Sequence, residues 1–130
     1  MENLPFNTSP AAILSTGALY DLSLLEDLDG DDYLLELLQI LLSEVPKDIK
    51  EMKAAAMAGK VDVICTKAHK LKSSAAIIQA DGLVLLLENI EACGKKELKG
   101  NELNQMIGTA VDIFSQIETG LKNDAAKLMH

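Results

Sequence analysis

The chain has 130 residues, of which 48% are hydrophobic and only 3% aromatic, and its formal net charge is -8. This length suits one domain, and a core of Leu, Ile, Val, Ala and Met favours packed helices over a β-sandwich. The acidic charge argues against nucleic acid and anionic membranes as partners, and the apolar runs are too short to cross a bilayer.

The cysteines and the N-terminal residues indicate a compartment. Cys65 and Cys93 form no C-x-x-C pair, and no charged segment followed by an apolar run opens the chain. We therefore expect reduced thiols and a cytoplasmic location.

The N-terminal part is predicted to contain a flexible segment and a short helix. Residues 1–18 include Pro5 and Pro10 among Asn, Ser, Thr and Gly, a composition that predicts a flexible segment. A short apolar helix is predicted from about 20 to 28, where it would cover one end of the core, and Gly30 follows its end.

The next predicted helix runs from about Asp32 to Ala58, and Gly59 is its natural stop. Pro46 lies inside it, and an internal proline usually kinks or breaks a helix. We predict one kinked helix, with two helices meeting at Val45 as the alternative, because one apolar stripe continues past the proline. That stripe comprises Leu34, Leu38, Leu41, Leu42, Val45, Ile49 and Met52.

A third helix is predicted from about Val61 to Gln79, and it carries His69 on its polar side. Residues three, four and seven apart share a helix face. The far side of the helix is apolar and holds Ile64, Ala68, Leu71, Ala75 and Ile78. His69 is therefore predicted to face water or a partner. Its predicted neighbours are Asp62, Cys65, Thr66, Lys72, Ser73 and Ala76.

Two more helices are predicted after the third. The segment from Asp81 to about Lys95 begins with an apolar run that also suits a buried strand, but its polar continuation favours a helix. The last helix is predicted from about Glu102 to Leu121, and residues 123–130 are predicted to form a frayed helical tail. Four long helices with short loops predict an all-α, antiparallel up-and-down four-helix bundle with a short N-terminal capping helix.

The segment Ala68-His69-Lys70-Leu71-Lys72-Ser73-Ser74-Ala75 resembles the signature of histidine-containing phosphotransfer (HPt) domains. That signature has a histidine, a lysine three residues later and then small residues. The resemblance extends to the flanking Leu-rich helices, so residues 19–122 are identified as an HPt-like bundle. The chain departs from the family at Ser73, where glycine is usual, and at Gln79-Ala80, where a glycine-alanine pair often stands.

The resemblance implies a phosphorelay intermediate rather than an independent enzyme. His69 would accept a phosphoryl group from a receiver-domain aspartate and pass it to another receiver, since an imidazole nitrogen is a good nucleophile near neutral pH. Lys72, one turn on, can stabilise phosphoryl charge, with Lys70 and Ser73 as further candidates. The implied partners are receiver domains of response regulators or hybrid histidine kinases. They would supply the Mg²⁺, and the chain itself would be monomeric with no cofactor or metal of its own.

A docking surface for the partner is predicted beside the histidine. Ile40 lies away from the core stripe of its helix, and Leu37 lies at the edge of that stripe. Cys65, Thr66 and Ala76 share the face of His69 and complete the predicted surface.

Two alternatives remain at this stage. A helical adaptor could bind a partner without ever carrying phosphate. Cys65, His69 and Asp62 could form part of a zinc site, but a structural zinc site needs four ligands. His130, at the terminus, is given no role.

Overall fold

The computed structural model describes residues 19–92 and 100–129. Three parts of the predictions lie outside the described residues: the flexible N-terminal segment (1–18), the end of the fourth helix with Cys93, and His130. Over the described part the chain is helical and contains no strand, which confirms the all-α prediction. The helices there are α1 (Ser23–Asp29), α2 (Asp31–Met57), α3 (Val61–Ile77), α4 (Asp81–Glu91) and α5 (Gly100–Leu128).

The long helix α2 passes through Pro46 without a break. The alternative of two helices meeting at Val45 is therefore wrong. Val45, Ile49 and Met52 are all buried, so the apolar stripe continues into the core on both sides of the proline. This burial favours one helix despite the backbone hydrogen bond that a proline cannot donate.

Helices α2 and α3 end in the same hydrogen-bonded motif. After α2, the Lys60 and Gly59 amides donate to the carbonyls of Ala55 and Ala56 at 2.9 and 3.3 Å, and Gly59 has a left-handed φ of 69°. This is a Schellman ending. It confirms Gly59 as the stop.

After α3, Ala80 and Gln79 donate to the carbonyls of Ala75 and Ala76 at 2.9 and 3.1 Å. Here the left-handed position is held by Gln79, with φ 53°. The helix therefore ends at a position where the resembled family often has glycine, although this chain has Gln79 there.

The long helices pack in a closed series around one core. Among the described residues, α3 packs against α2 and α4, α4 packs against α5, and α5 packs back against α2, while α1 contacts α2. The predicted apolar faces of α2 and α3 are buried apart from Leu42, which is half-buried. The largest fully buried side chains are Leu34, Leu38, Met52, Ile64, Leu87, Ile90, Ile117 and Leu121. This packing places α3 between α2 and α4 with its polar face outward.

The predicted end of the last helix at Leu121 is wrong. Helix α5 continues to Leu128, Ala125 is buried in the core, and Leu128 packs against it. Residues 123–128 are helical, as predicted, but they pack against the bundle and do not form a frayed end. The Tyr20 hydroxyl donates a hydrogen bond to Asp124 Oδ2 at 2.5 Å, which joins the two ends of the described chain.

The first helix begins at Ser23 rather than at Tyr20. The Asp21 carboxylate accepts hydrogen bonds from the Ser23 amide and hydroxyl, while the Asp21 amide donates to the Ile78 carbonyl at 2.8 Å. These contacts tie the segment before α1 to the end of α3. No helix in the described part is long and apolar enough to span a membrane.

Candidate functional site

Helix α3 presents His69 to solvent, as its helical phase predicts. The His69 side chain is 65% exposed. Ala68 and Leu71, on the opposite face of α3, are buried in the core. A second molecule can therefore approach the imidazole without disturbing the core.

Glu91, the last residue of α4, contacts both groups of the predicted site. Its Oε2 lies 2.8 Å from His69 Nδ1, and its Oε1 lies 2.9 Å from Lys72 Nζ. We call these three side chains the His69–Glu91–Lys72 cluster. The packing of α4 on α3 brings them together.

The charges within this cluster support one another. The Lys72 ammonium, and then His69, donate hydrogen bonds that hold the pKa of the Glu91 carboxyl below its usual value. The hydrogen bond to Glu91 in turn raises the pKa of Lys72. Glu91 is thus an anion near neutral pH and can only accept hydrogen bonds. In the neutral imidazole of His69, Nδ1 is then the proton donor and Nε2 carries the lone pair.

Two further lysines of α3, Lys70 and Lys67, lie on the opposite flank of that helix. Lys70 Nζ is 3.3 Å from both carboxylate oxygens of Asp48 on α2. Lys67 Nζ is 3.5 Å from Asp48 Oδ1 and 2.5 Å from Glu51 Oε1. The structure therefore brings Lys72, but not Lys70, into a cluster with His69.

The hydroxyl groups near the histidine hydrogen-bond to their own helix. Ser73 Oγ donates to the His69 carbonyl at 3.4 Å, and Thr66 Oγ1 donates to the Asp62 carbonyl at 2.9 Å. Both residues are exposed, as is Ala76. Small exposed side chains thus surround the imidazole along α3.

The remaining docking candidates differ in exposure. Ile40 on α2 is 52% exposed, which agrees with its predicted position off the core stripe. Leu37 and Cys65 are half-buried and pack against the core. Ile77, which the sequence did not single out, is an exposed apolar residue on α3.

Two contributors escape sequence analysis. Glu91 is visible there only as an acid on the following helix, and its role depends on how α4 packs. Asp48 carries a stronger signal, because it lies between Val45 and Met52 at core spacing. Its 3% exposure makes it the buried charged residue of the described part. No group of three potential metal ligands occurs among the described residues.

Comparison with known families identifies the domain. The family model described as "Hpt domain" matches residues 36–127, a range that contains the cluster and most of the bundle. Searches of curated proteins and of solved structures gave no significant match. Hpt domains are histidine phosphotransfer intermediates that work with receiver domains of two-component systems. From the match and the exposed histidine, we conclude that the chain belongs to the Hpt domain family.

Proposed function

We propose that this protein relays a phosphoryl group from the aspartate of one receiver domain to the aspartate of another through His69. The observation that supports the proposal best is the bond between His69 Nδ1 and the Glu91 carboxylate at 2.8 Å. It leaves Nε2 of an exposed imidazole available for attack.

The chemistry follows from that hydrogen bond. Nε2 attacks the phosphorus of the receiver's aspartyl phosphate, so that an N–P bond forms as the carboxyl O–P bond breaks. The receiver recovers its carboxylate, and the imidazole becomes positively charged while keeping its proton on Nδ1. Glu91 stabilises this charge, because a charge-assisted hydrogen bond is about twice as strong as a neutral one. Attack by a second receiver's carboxylate reverses these steps.

Lys72 supplies positive charge for the phosphoryl oxygens. Its ammonium already lies in the cluster, 2.9 Å from Glu91, and phosphoryl transfer depends mainly on positioning and charge. We propose that the Mg²⁺ needed for the reaction is held by the receiver. The Ser73 hydroxyl can turn from its 3.4 Å bond to the His69 carbonyl toward a phosphoryl oxygen.

The proposal includes an antiparallel order for the long helices. Support comes from two ion pairs between α2 and α3. Glu51 of α2 pairs with Lys67 of α3. Asp48 lies one turn before Glu51 on α2, and it pairs with Lys70, which lies one turn after Lys67 on α3. An up-and-down bundle leaves the polar outer face of α3 within reach of a receiver. On sequence grounds we propose a cytoplasmic monomer.

The docking surface is proposed around Ile40, Leu37, Cys65, Thr66 and Ala76. Ile40 shares a face of α2 with Glu51, three turns later, and Glu51 reaches α3 through Lys67. This face therefore borders α3. Ile40 lies about 12 Å along the helix from Asp48. Each partner of an ordinary interface buries about 800 Å², and a patch of that area can include positions this far apart.

A label-transfer experiment tests the proposal. Receiver domains encoded in the source genome are phosphorylated in turn with ³²P-acetyl phosphate and Mg²⁺, freed of donor and mixed with the protein. We expect acid-labile, base-stable label that is lost in His69→Gln. Because the chain has two histidines, His130→Gln is the matched control and should keep the label. The exposed position of His69 predicts that the Gln variant changes stability by no more than about 0.5 kcal/mol.

Label that persists in a folded His69→Gln variant would place the phosphate elsewhere. Receiver binding with no label under any condition would favour the helical adaptor instead.

A further inference from the structure

Asp48 is a buried carboxylate for which the proposed relay has no direct use. Its side chain is only 5% exposed, whereas carboxylates are almost never fully buried unless they are paired. Its partners are Lys70 and Lys67. These two lysines flank His69 in the sequence.

The two lysines near His69 are thus held by carboxylates of different burial. Lys72 forms an ion pair with Glu91, whose side chain is 30% exposed, so water can solvate Glu91 when Lys72 moves away. Lys70 forms an ion pair with the much more deeply buried Asp48. Removing a partner from a buried charge costs far more than removing one from an exposed charge. Lys72 is therefore the lysine that can shift toward a phosphoryl group.

Without this restraint, Lys70 would be a competitor for the same role. It is adjacent to His69 in the chain, its side chain is 57% exposed, and a lysine has a long, flexible stem that can reach a neighbouring residue. Its ammonium instead points to α2, where Asp48 binds it through both carboxylate oxygens at 3.3 Å.

We propose that Asp48 is a positioning residue that selects Lys72 as the phosphoryl-stabilising cation by holding Lys70 on the opposite flank of α3. This inference rests on the proposed transfer through His69. It concerns which lysine serves the reaction, and Asp48 itself touches no reacting atom.

The test is a mutant cycle on the rate of phosphoryl transfer from a phosphorylated receiver domain. In the native background, Lys72→Ala should slow transfer at least about tenfold, since it removes charge where phosphoryl charge develops. Lys70→Gln should cost less than about threefold there, because its ammonium is held elsewhere.

In an Asp48→Asn background, the transfer rate should depend less on Lys72 and more on Lys70. Lys70 is released, so Lys72→Ala should now cost only about threefold or less, and adding Lys70→Gln should restore the full loss. Asp48→Glu keeps the charge and should retain the native response to Lys72→Ala. Glu44→Gln is the matched control, because Glu44 is an exposed acid of α2 paired with Lys47 at 3.4 Å. It should also retain the native response.

A merely structural role for Asp48 gives a different result. Asp48→Asn would then lower the unfolding free energy and slow transfer in every variant by the same factor. Lys72→Ala would reduce the transfer rate equally in the native and Asp48→Asn backgrounds, and that result would overturn the proposal. If Asp48→Asn does not fold, the native background still decides the question. Equal losses for Lys70→Gln and Lys72→Ala would show that Lys70 is not withheld. Label on a folded His69→Gln variant would instead overturn the relay function itself.

Discussion

Glu91 joins the nucleophile to the cation within a single carboxylate. One of its oxygens accepts from His69 and the other from Lys72. The same side chain therefore sets the imidazole tautomer and holds the lysine within reach. Because it is anionic, it also opposes the phosphoryl group that Lys72 attracts. The proposed relay would need this balance, since a phosphoryl group bound too firmly to His69 would not pass to a second receiver.

The first prediction concerns the charge of Glu91. Glu91→Gln can still accept the Nδ1 hydrogen bond but loses the negative charge. We expect phosphoryl acceptance by His69 to slow roughly fivefold, because charge assistance of about 1 kcal/mol is lost. Glu88→Gln, an exposed acid on the same helix, is the control and should change the rate far less. Stopped-flow transfer from a phosphorylated receiver measures both, and equal rates for both variants would remove Glu91 from the site.

The second prediction concerns pH. The pKa of Glu91 is lowered in the fold, by Lys72 first and His69 second, so its interactions stabilise the protein above the unfolded value of about 4.3. This stability is lost as pH falls through the lower folded-state pKa. The difference in unfolding free energy between wild type and Glu91→Gln should therefore be full at pH 6 and shrink below about pH 4. Urea unfolding at both pH values measures it, and a constant difference would contradict the ionised pairing.

Single residues could be predicted only where one helix is enough to place them. The spacing from His69 to Lys72 sets both on one face of α3, and the structure agrees. Glu91 and Asp48 act across helix pairs, so their roles depend on packing that the sequence does not state. The same limit applies to Lys70, because its position about 100° around the helix from His69 does not reveal that it pairs with Asp48 on α2.

Helix ends give the third prediction. Gln79 holds a left-handed conformation at φ 53°, which costs an L-residue about 1–2 kcal/mol. Gln79→Gly relieves that strain but adds freedom to the unfolded chain, so we expect a net gain of about 0.5–1 kcal/mol in unfolding free energy. Chemical denaturation measures it.

The matching position after α2 provides the reciprocal control. Gly59 has φ 69° in the same motif, and Gly59→Gln should lose about as much stability as Gln79→Gly gains. A loss in both variants would mean that the Gln79 side chain contributes more than its backbone costs.

The fourth prediction concerns the end of α5, where Tyr20 rests against Gly120. A Cβ at Gly120 would lie 2.6 Å from the Tyr20 hydroxyl oxygen, whereas a Cβ at Gly108 would meet nothing within 4 Å. Gly108→Ala should therefore stabilise the protein by about 0.5–1 kcal/mol. Gly120→Ala should destabilise it, because displacing the tyrosine costs about 1–3 kcal/mol.

Alkaline titration gives an independent readout of the same contact. Burial, and then the hydrogen bond to Asp124, raise the pKa of Tyr20 above its usual value. In a Tyr33→Phe background, Gly120→Ala should shift tyrosinate formation toward lower pH. Equal stability gains for both glycine variants, with an unchanged titration, would show that Tyr20 moves aside at no cost.

At the scale of elements, sequence analysis predicted the type of every described helix, although the helical prediction for α4 depended on its polar continuation and not on apolar periodicity. It also predicted the buried faces of α2 and α3. The length of α5 was missed because the polar run Lys122-Asn123-Asp124 resembles a helix end. Ala125 and Leu128 continue the stripe of Leu121 at helical spacing, and both pack in the structure. The partner that makes Asp124 tolerable there is Tyr20, which lies far away in the sequence.

The whole molecule combines a net charge of -8 with a site whose lysines are all paired with carboxylates. Lys67, Lys70 and Lys72 each contact an acid on a neighbouring helix. The face around His69 therefore offers a partner little unpaired positive charge. Recognition of a receiver must then depend on apolar contacts more than on charge attraction. The exposed Ile40 and Ile77 suit that requirement.

The fifth prediction tests this surface at Ile40. Ile40→Asp puts a charge into a surface whose centre should be apolar, and binding to a receiver should weaken by about 1–3 kcal/mol. The side chain is 52% exposed, so the fold should be retained. Spontaneous hydrolysis of phosphorylated His69 needs no partner and should not change.

Met57→Asp is the matched control for that experiment. Met57 is 91% exposed and lies on the same helix, but its position is about 25 Å further along α2 and about a quarter turn away from Ile40. Titration of a receiver against both variants, with circular dichroism to monitor helicity, separates the outcomes.

Weakened binding for Ile40→Asp alone locates the interface on the side of α2 that borders α3. Unchanged affinity with an intact fold would move the interface to the face of Cys65, Thr66 and Ala76. Equal weakening by both substitutions would point to the added charge of an already acidic protein, rather than to contact at Ile40.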